Sequence, residues 1–173
     1  LTNALTVSAW VKPAATNNTA LLVGYANPLA TTRASYALQL TNGLPQFLVY
    51  SSGNTNYLAT GPAPLGTNTW TSLAGRWDGT NVMLFVNGSP VATNDTALFP
   101  AVGVGDSQNR LIIGGSIGRC FAGDLDEVQL YRIALADATI AANYNGGVGV
   151  PAGTNTTALM AGYHFDEGAG PNA

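Results

Sequence analysis

The stretch Leu5–Val11, LTVSAWV, carries the first structural signal. Leu5, Val7, Ala9 and Val11 occupy every second position, while Thr6, Ser8 and Trp10, continued by Lys12, fall between them. Successive side chains of an extended chain point to opposite faces, so this spacing predicts a strand with one face buried. Working outward, the same alternation returns in LLVGY, YALQL, QFLVY, WTSLAGRW, VMLFV, RLIIGG and DLDEVQLY, separated by TNG, SSGN, WDGTN, VNGSP and GDSQN. Short strands punctuated by Gly, Asn, Asp and Pro predict an antiparallel sandwich rather than alternating strand and helix units. Asp78-Gly79 and Asn87-Gly88 accept positive φ, and Asn87-Gly88 directly after VMLFV predicts a tight reversal into PVAT.

One segment has a helical period. In IALADATIAANY, Leu135, Ile140 and Tyr144 stand roughly a turn apart, with Asp137 near the start, which predicts one short helix. Residues 146–157 are rich in Gly, Pro and Thr with neither period, and read as a linker after a sandwich at 1–145. Residues 158–173, beginning ALMAGYHFDEGAG, then open a further strand. That strand has three expected fates: it closes its own sandwich, is donated to a neighbouring subunit, or is the first strand of a next repeat.

A length of 173 residues fits one domain with a sizeable core. Only 9% of residues are charged, against about a quarter in ordinary globular domains, so solubility rests on Thr, Asn, Ser and Gly. Lys12 is the sole lysine, and Arg33, Arg76, Arg110, Arg119 and Arg132 are scattered. Nucleic-acid partners, which need clustered positive charge, are not expected. No apolar run approaches the roughly 18 residues of a membrane span, so membrane insertion is not expected either. The Thr/Asn-rich, Lys-poor composition points outside the cell or to its surface. With Cys120 alone, no intrachain disulfide forms, and Cys120 is expected to be a small buried residue beside Phe121.

Together, TVSAWVKP, WTSLAGRWDGTNVMLFVNG, LIIGGS and FAGDLDEVQLYRIALADATI resemble the laminin G-like branch of the concanavalin A-like lectin/glucanase superfamily over roughly residues 5–145. The resemblance implies an all-β jelly-roll sandwich of two antiparallel sheets, with one short helix after DEVQLY. In such domains a strand like AGYHFDEGAG comes first, whereas here it comes last, as in a tandem array cut out of phase. Pentraxin relatives carry calcium ligands in an acidic loop after the strand equivalent to LIIGG. Ser116, Ile117, Gly118 and Arg119 stand there and lack carboxylates, so a pentraxin-type double calcium site is not expected.

The carboxylates of GDLDEVQLY, residues 123–131, raise the question of catalysis. Retaining glycoside hydrolysis needs two carboxyl groups about 5 Å apart on either side of the sugar bond. On a regular strand Asp124, Asp126 and Val128 share one face, and Leu125, Glu127 and Gln129 share the other. Glu127 joins Asp126 only if a bulge intervenes. Without one, Asp126 lies with Val128 and Leu130 toward the core, where backbone N–H groups or a cation must satisfy it. Asp126, Asp166 and Glu167 are the candidate ligands for Ca²⁺, the one cofactor considered. His164 is the only histidine, which leaves no His-based zinc cluster or Ser-His-Asp triad.

The reading is a noncatalytic extracellular recognition or adhesion module, a repeat of a larger surface protein, that binds a glycan or a surface protein. Trp10, Tyr25, Tyr50 and Tyr57 are its candidate aromatic contacts. The alternative is a structural fibre subunit that self-assembles through the C-terminal strand; a glycoside hydrolase ranks third.

Overall fold

A computed structural model describes residues 4–27, 34–50, 55–95, 109–150 and 158–165. Among the described residues eleven strands form two antiparallel sheets, the sandwich that the alternation predicts and the jelly roll that the resemblance implies. The six-stranded sheet contains β1 (Leu5–Pro13), β6 (Thr71–Trp77), β7 (Asn81–Val86), β8 (Ser89–Asp95), β10 (Gly123–Tyr131) and β11 (Leu159–Tyr163). Its order is β11-β10-β1-β6-β7-β8. The five-stranded sheet contains β2 (Ala20–Ala26), β3 (Ala34–Thr41), β4 (Leu44–Tyr50), β5 (Asn56–Thr60) and β9 (Arg110–Ile113), in the order β5-β4-β3-β2-β9.

The faces of β1 are those read from its sequence. Leu5, Val7, Ala9 and Val11 enter the core between the sheets, where they meet Leu22, Leu38, Phe47, Val49, Leu73, Trp77 and Leu84. Burying such a continuous apolar layer is the dominant favourable term in folding. Asn87 (φ 50°) and Gly88 (φ 76°) make the two-residue reversal between β7 and β8, with the positive φ angles that a primed hairpin turn needs.

The outer face of the six-stranded sheet carries a second apolar cluster. Helix α1 (Asp137–Tyr144) lies over it, so Leu135 and Ile140 are buried with Ala74, Phe85 and Tyr131. Arg76 fixes the start of that helix. Its Nη1 donates to Leu135 O at 2.8 Å and pairs with the Asp137 carboxylate, and its guanidinium lies over the Phe85 ring at 5.1 Å. Burial raises the Tyr131 phenol above its usual pKa, and a hydrogen bond with Asn143 only partly offsets this.

The C-terminal strand β11 pairs antiparallel with β10 of its own chain, Val128 opposite Tyr163 and Leu130 opposite Ala161. The start of the expected linker is packed. After a 3-10 turn at Asn145–Gly147, Gly149 donates its N–H to Tyr144 O at 3.0 Å, and Asn145 Nδ2 donates to Gly149 O at 3.2 Å. Residues 151–157 lie outside the described residues. Cys120 is exposed, not buried as expected, and its thiol lies 3.6 Å from Ser116 O.

Candidate functional site

The β10 carboxylates depart from regular alternation. Ser8 of β1 pairs with Gln129 and Trp10 pairs with Asp126, so Ala9 alone faces both Glu127 and Val128 across the ladder. This is a β-bulge, and Glu127 adopts φ 48°, a left-handed conformation costly for a residue with a Cβ. Asp126 supports it: its Oδ1 accepts the Glu127 N–H at 2.8 Å. Past the bulge the faces are reset. Val128 and Leu130 enter the core, Leu125 packs against it, and Asp124 and Asp126 stand opposite Lys12 and Trp10 on the outer face.

This corrects the expectation that Asp126 shares a face with Val128 and Leu130. Asp126 does not enter the core, and the bulge brings Glu127 to the same outer surface, where both line one groove. The inserted residue changes the parity of the strand, which a strict period of two cannot anticipate.

Two concavities adjoin there. One, about 230 Å³, is lined by Trp10, Trp70, Asp126, Glu127, Gly147 and Val148. The other, about 590 Å³, is lined by Trp70, Asp126, Asp124, Leu125, Ile113 and Phe165 among others. Trp70 and Asp126 belong to both. Trp70 stands just before β6 with 41% of its surface exposed, and Lys12 Nζ lies 5.7 Å from its ring centroid while pairing with Asp124 at 2.9 Å. Trp10 is fixed from behind by stacking on Tyr144 at 5.8 Å. Gly149 (φ 75°) passes so close that a Cβ there would lie 3.0 Å from the indole nitrogen. By contrast, a partly open cavity beside α1 measures about 20 Å³, enough for a single water and no more.

The end of β11 is tied to the bulge. His164 Nδ1 lies 3.0 Å from Glu127 Oε1, and the Phe165 N–H donates to Asp126 Oδ1 at 3.3 Å. Phe165, 47% exposed, stacks on Tyr163 at 6.5 Å and so reaches the larger concavity.

The four aromatic candidates do not converge. Trp10 lies in the groove, whereas Tyr25 and Tyr57 pack against the inner core, Tyr25 stacked on Tyr36 at 6.4 Å. Tyr50 packs on the outer face of the opposite sheet with Leu48 and Leu58. Trp70 and Val148 converge with Trp10, and Phe165 lines the adjoining concavity, none of them singled out by alternation, while Glu127 joins through the bulge. Of the calcium candidates, Asp126 lies in the groove, and Asp166 and Glu167 fall outside the described residues. Among the described residues no group of three or more His, Cys, Asp or Glu is placed to hold a metal. Calcium takes six to eight oxygens, so Asp126, with one oxygen already accepting two backbone N–H groups, does not make a site unaided.

Residues 1–141 match a laminin G family model described as the concanavalin A-like lectin/glucanases superfamily. The chain belongs to this family. The laminin G domain also matches solved structures at low identity, which shows the shared fold. A Bacteroides ovatus protein assigned to carbohydrate binding is 19% identical with TM-score 0.70; the match covers 96% of this chain and 46% of that one. The laminin G domain thus spans just under half of the Bacteroides protein. The CBM40 of Ruminococcus gnavus IT-sialidase, bound to α2,3 sialyllactose, is 24% identical with TM-score 0.67 over 80% of each chain. The heptameric SAP-like pentraxin of Limulus polyphemus is 17% identical with TM-score 0.65, covering 93% of this chain and 78% of that one. No curated protein sequence matches the laminin G domain. Among the described residues no helix is long and apolar enough to cross a membrane.

Proposed function

We propose that this laminin G domain is a noncatalytic glycan-recognition module, a repeat of a larger protein outside the cell or on its surface, and that the Trp10/Trp70 groove is its binding site. The observation that carries the reading is the exposed indole of Trp70 between two concavities that also hold carboxylates. A sugar ring presents apolar C–H faces and a rim of hydroxyls. An aromatic plane meets the first and carboxylate acceptors meet the second. The similarity to a Bacteroides protein assigned to carbohydrate binding and to a module bound to sialyllactose supports the same reading.

Two further observations favour binding over hydrolysis and over strand donation. Asp126 accepts two backbone N–H groups and Glu127 is held by His164, so both carboxylates brace the bulge and the end of β11. The edge of β10 that a donated strand would occupy is taken by β11 of the same chain.

The test is calorimetric titration of the folded domain with a panel of oligosaccharides, alongside Trp70→Ala. Binding that Trp70→Ala abolishes supports the proposal; a folded wild-type domain that binds no glycan overturns it. Calcium, with Asp126, Asp166 and Glu167 as its ligands, is a separate proposal. A rise in melting temperature on adding calcium, lost in Asp126→Asn, would support it, and identical melting in calcium and in chelator would end it.

A further inference from the structure

The lining of the groove points to a kind of glycan. We propose that the site takes a neutral oligosaccharide of several units, laid across Trp70 from the Trp10/Val148 side to the Phe165 side, and discriminates against glycans that carry a carboxylate or sulfate on the bound units. This rests on the reading of the groove as a glycan site.

The length follows from geometry. The two concavities share Trp70 and Asp126, and the second, at about 590 Å³, is more than twice the first, at about 230 Å³. One ring in the smaller leaves the larger empty, so occupation of both calls for a chain on the order of three units, within the size range of ordinary ligand sites. Apolar surface is spaced along that path: Val148 (85% exposed) at one end, Trp70 between, and Phe165 at the other. Trp70 contacts the ligand from both concavities, which makes it the central platform.

The selectivity follows from charge. Asp124, Asp126 and Glu127 all line the concavities, and among the described lining residues none is cationic. Lys12 and Asp124 pair at 2.9 Å and cancel each other's charge, so Asp126 and Glu127 carry the negative charge that faces a ligand. His164 shares Glu127 and is absent from the lining of either concavity. A sugar carboxylate brought here meets like charge in a partly desolvated cleft, whereas neutral hydroxyls donate to the same oxygens. Carboxylates therefore serve as acceptors for one ligand class and as a barrier to the other.

The probes are neutral cello-, xylo-, arabino- and galacto-oligosaccharide ladders from disaccharide to hexasaccharide, with sialyllactose and oligogalacturonates as acidic counterparts, titrated into the full chain at low salt. The expected result is affinity that rises with length over the first few neutral units, and acidic glycans bound at least tenfold more weakly than neutral ones of equal length. That gap should narrow as salt rises, because screening weakens repulsion between partly exposed charges. In Asp126→Asn, which leaves the Lys12–Asp124 pair intact and is checked for folding by circular dichroism, the gap should shrink at least threefold. Acidic glycans bound as tightly as neutral ones by the wild type would overturn the charge argument and leave the glycan reading intact. Affinity already at its maximum for a disaccharide would overturn the length argument. If no glycan binds at all, the glycan reading falls and takes this inference with it.

Discussion

At the scale of single residues, the side chains that matter are those whose surroundings contradict their isolated chemistry. Burial pushes the Asp78 carboxyl pKa up, yet hydrogen bonds from Thr80 and Asn81 outweigh that and hold it below the usual carboxylate value. A carboxyl with a depressed pKa in the folded state stabilises the fold above its unfolded pKa, near 3.9, and loses that contribution as pH falls through the folded value. Asp78→Asn should therefore lower the melting temperature at neutral pH and flatten its acid dependence below about pH 4, readable by thermal melts at stepped pH. Trp70 is the complementary case: it is exposed and among the described residues borders no core cluster, so Trp70→Ala should leave melting nearly unchanged while weakening glycan binding by roughly tenfold or more, about 1.4 kcal/mol. A large loss of melting temperature with unchanged binding would reverse that assignment.

Among the elements, the β10 bulge and the α1 docking show what periodicity can and cannot reach. Alternation located β1 and β10 and placed the β1 faces, because a uniform strand has a uniform period. It misplaced Asp126, because one inserted residue at Glu127 shifts every later side chain by one face. The Asp-Glu pair gave a faint local hint, since an Asp side chain can accept the N–H of a neighbouring residue and stabilise a distorted backbone. Helix α1 was legible from Leu135, Ile140 and Tyr144, whereas its anchor was not: Arg76 lies 59 residues before Leu135. Arg76→Ala removes that hydrogen bond and the packing over Phe85. It should cost about 1–3 kcal/mol in denaturant unfolding, with Arg76→Lys recovering only part, because an ammonium cannot keep the planar stacking.

For the whole molecule, the constraint is the distance between the two sheets. Gly75 lies on the inner face of β6, where a Cβ would come within 2.1 Å of the Phe47 ring on the opposite sheet. Gly75→Ala should destabilise by about 1–3 kcal/mol or more through overpacking, seen as a lower denaturant midpoint. Phe47→Leu in the same chain should recover part of it; no recovery would mean that the strain lies elsewhere. Sheet closure is also a property of the whole. Removing residues 158–173 takes β11 away, uncovers the β10 edge and exposes Val128 and Leu130, which are 0% and 5% accessible in the intact fold. The truncated chain should melt lower and self-associate in light scattering, as an uncovered edge invites pairing with another chain.

What the sequence alone determined is therefore local and periodic: most of the strands though not β5, the faces of β1, the Asn87-Gly88 reversal, the short helix, and a family resemblance carried by ordered motifs. These depend on neighbours within a few residues, and hydrophobic alternation encodes them directly. The tertiary structure decided the rest. It seated Trp70, Val148 and Phe165 around the bulge carboxylates, and it placed Tyr25, Tyr57 and Tyr50 elsewhere. Antiparallel pairing joins β1 to β6 and β10, bringing together residues more than a hundred positions apart. No local pattern reports such a meeting, because it is set by which strand edges pair across the sheet.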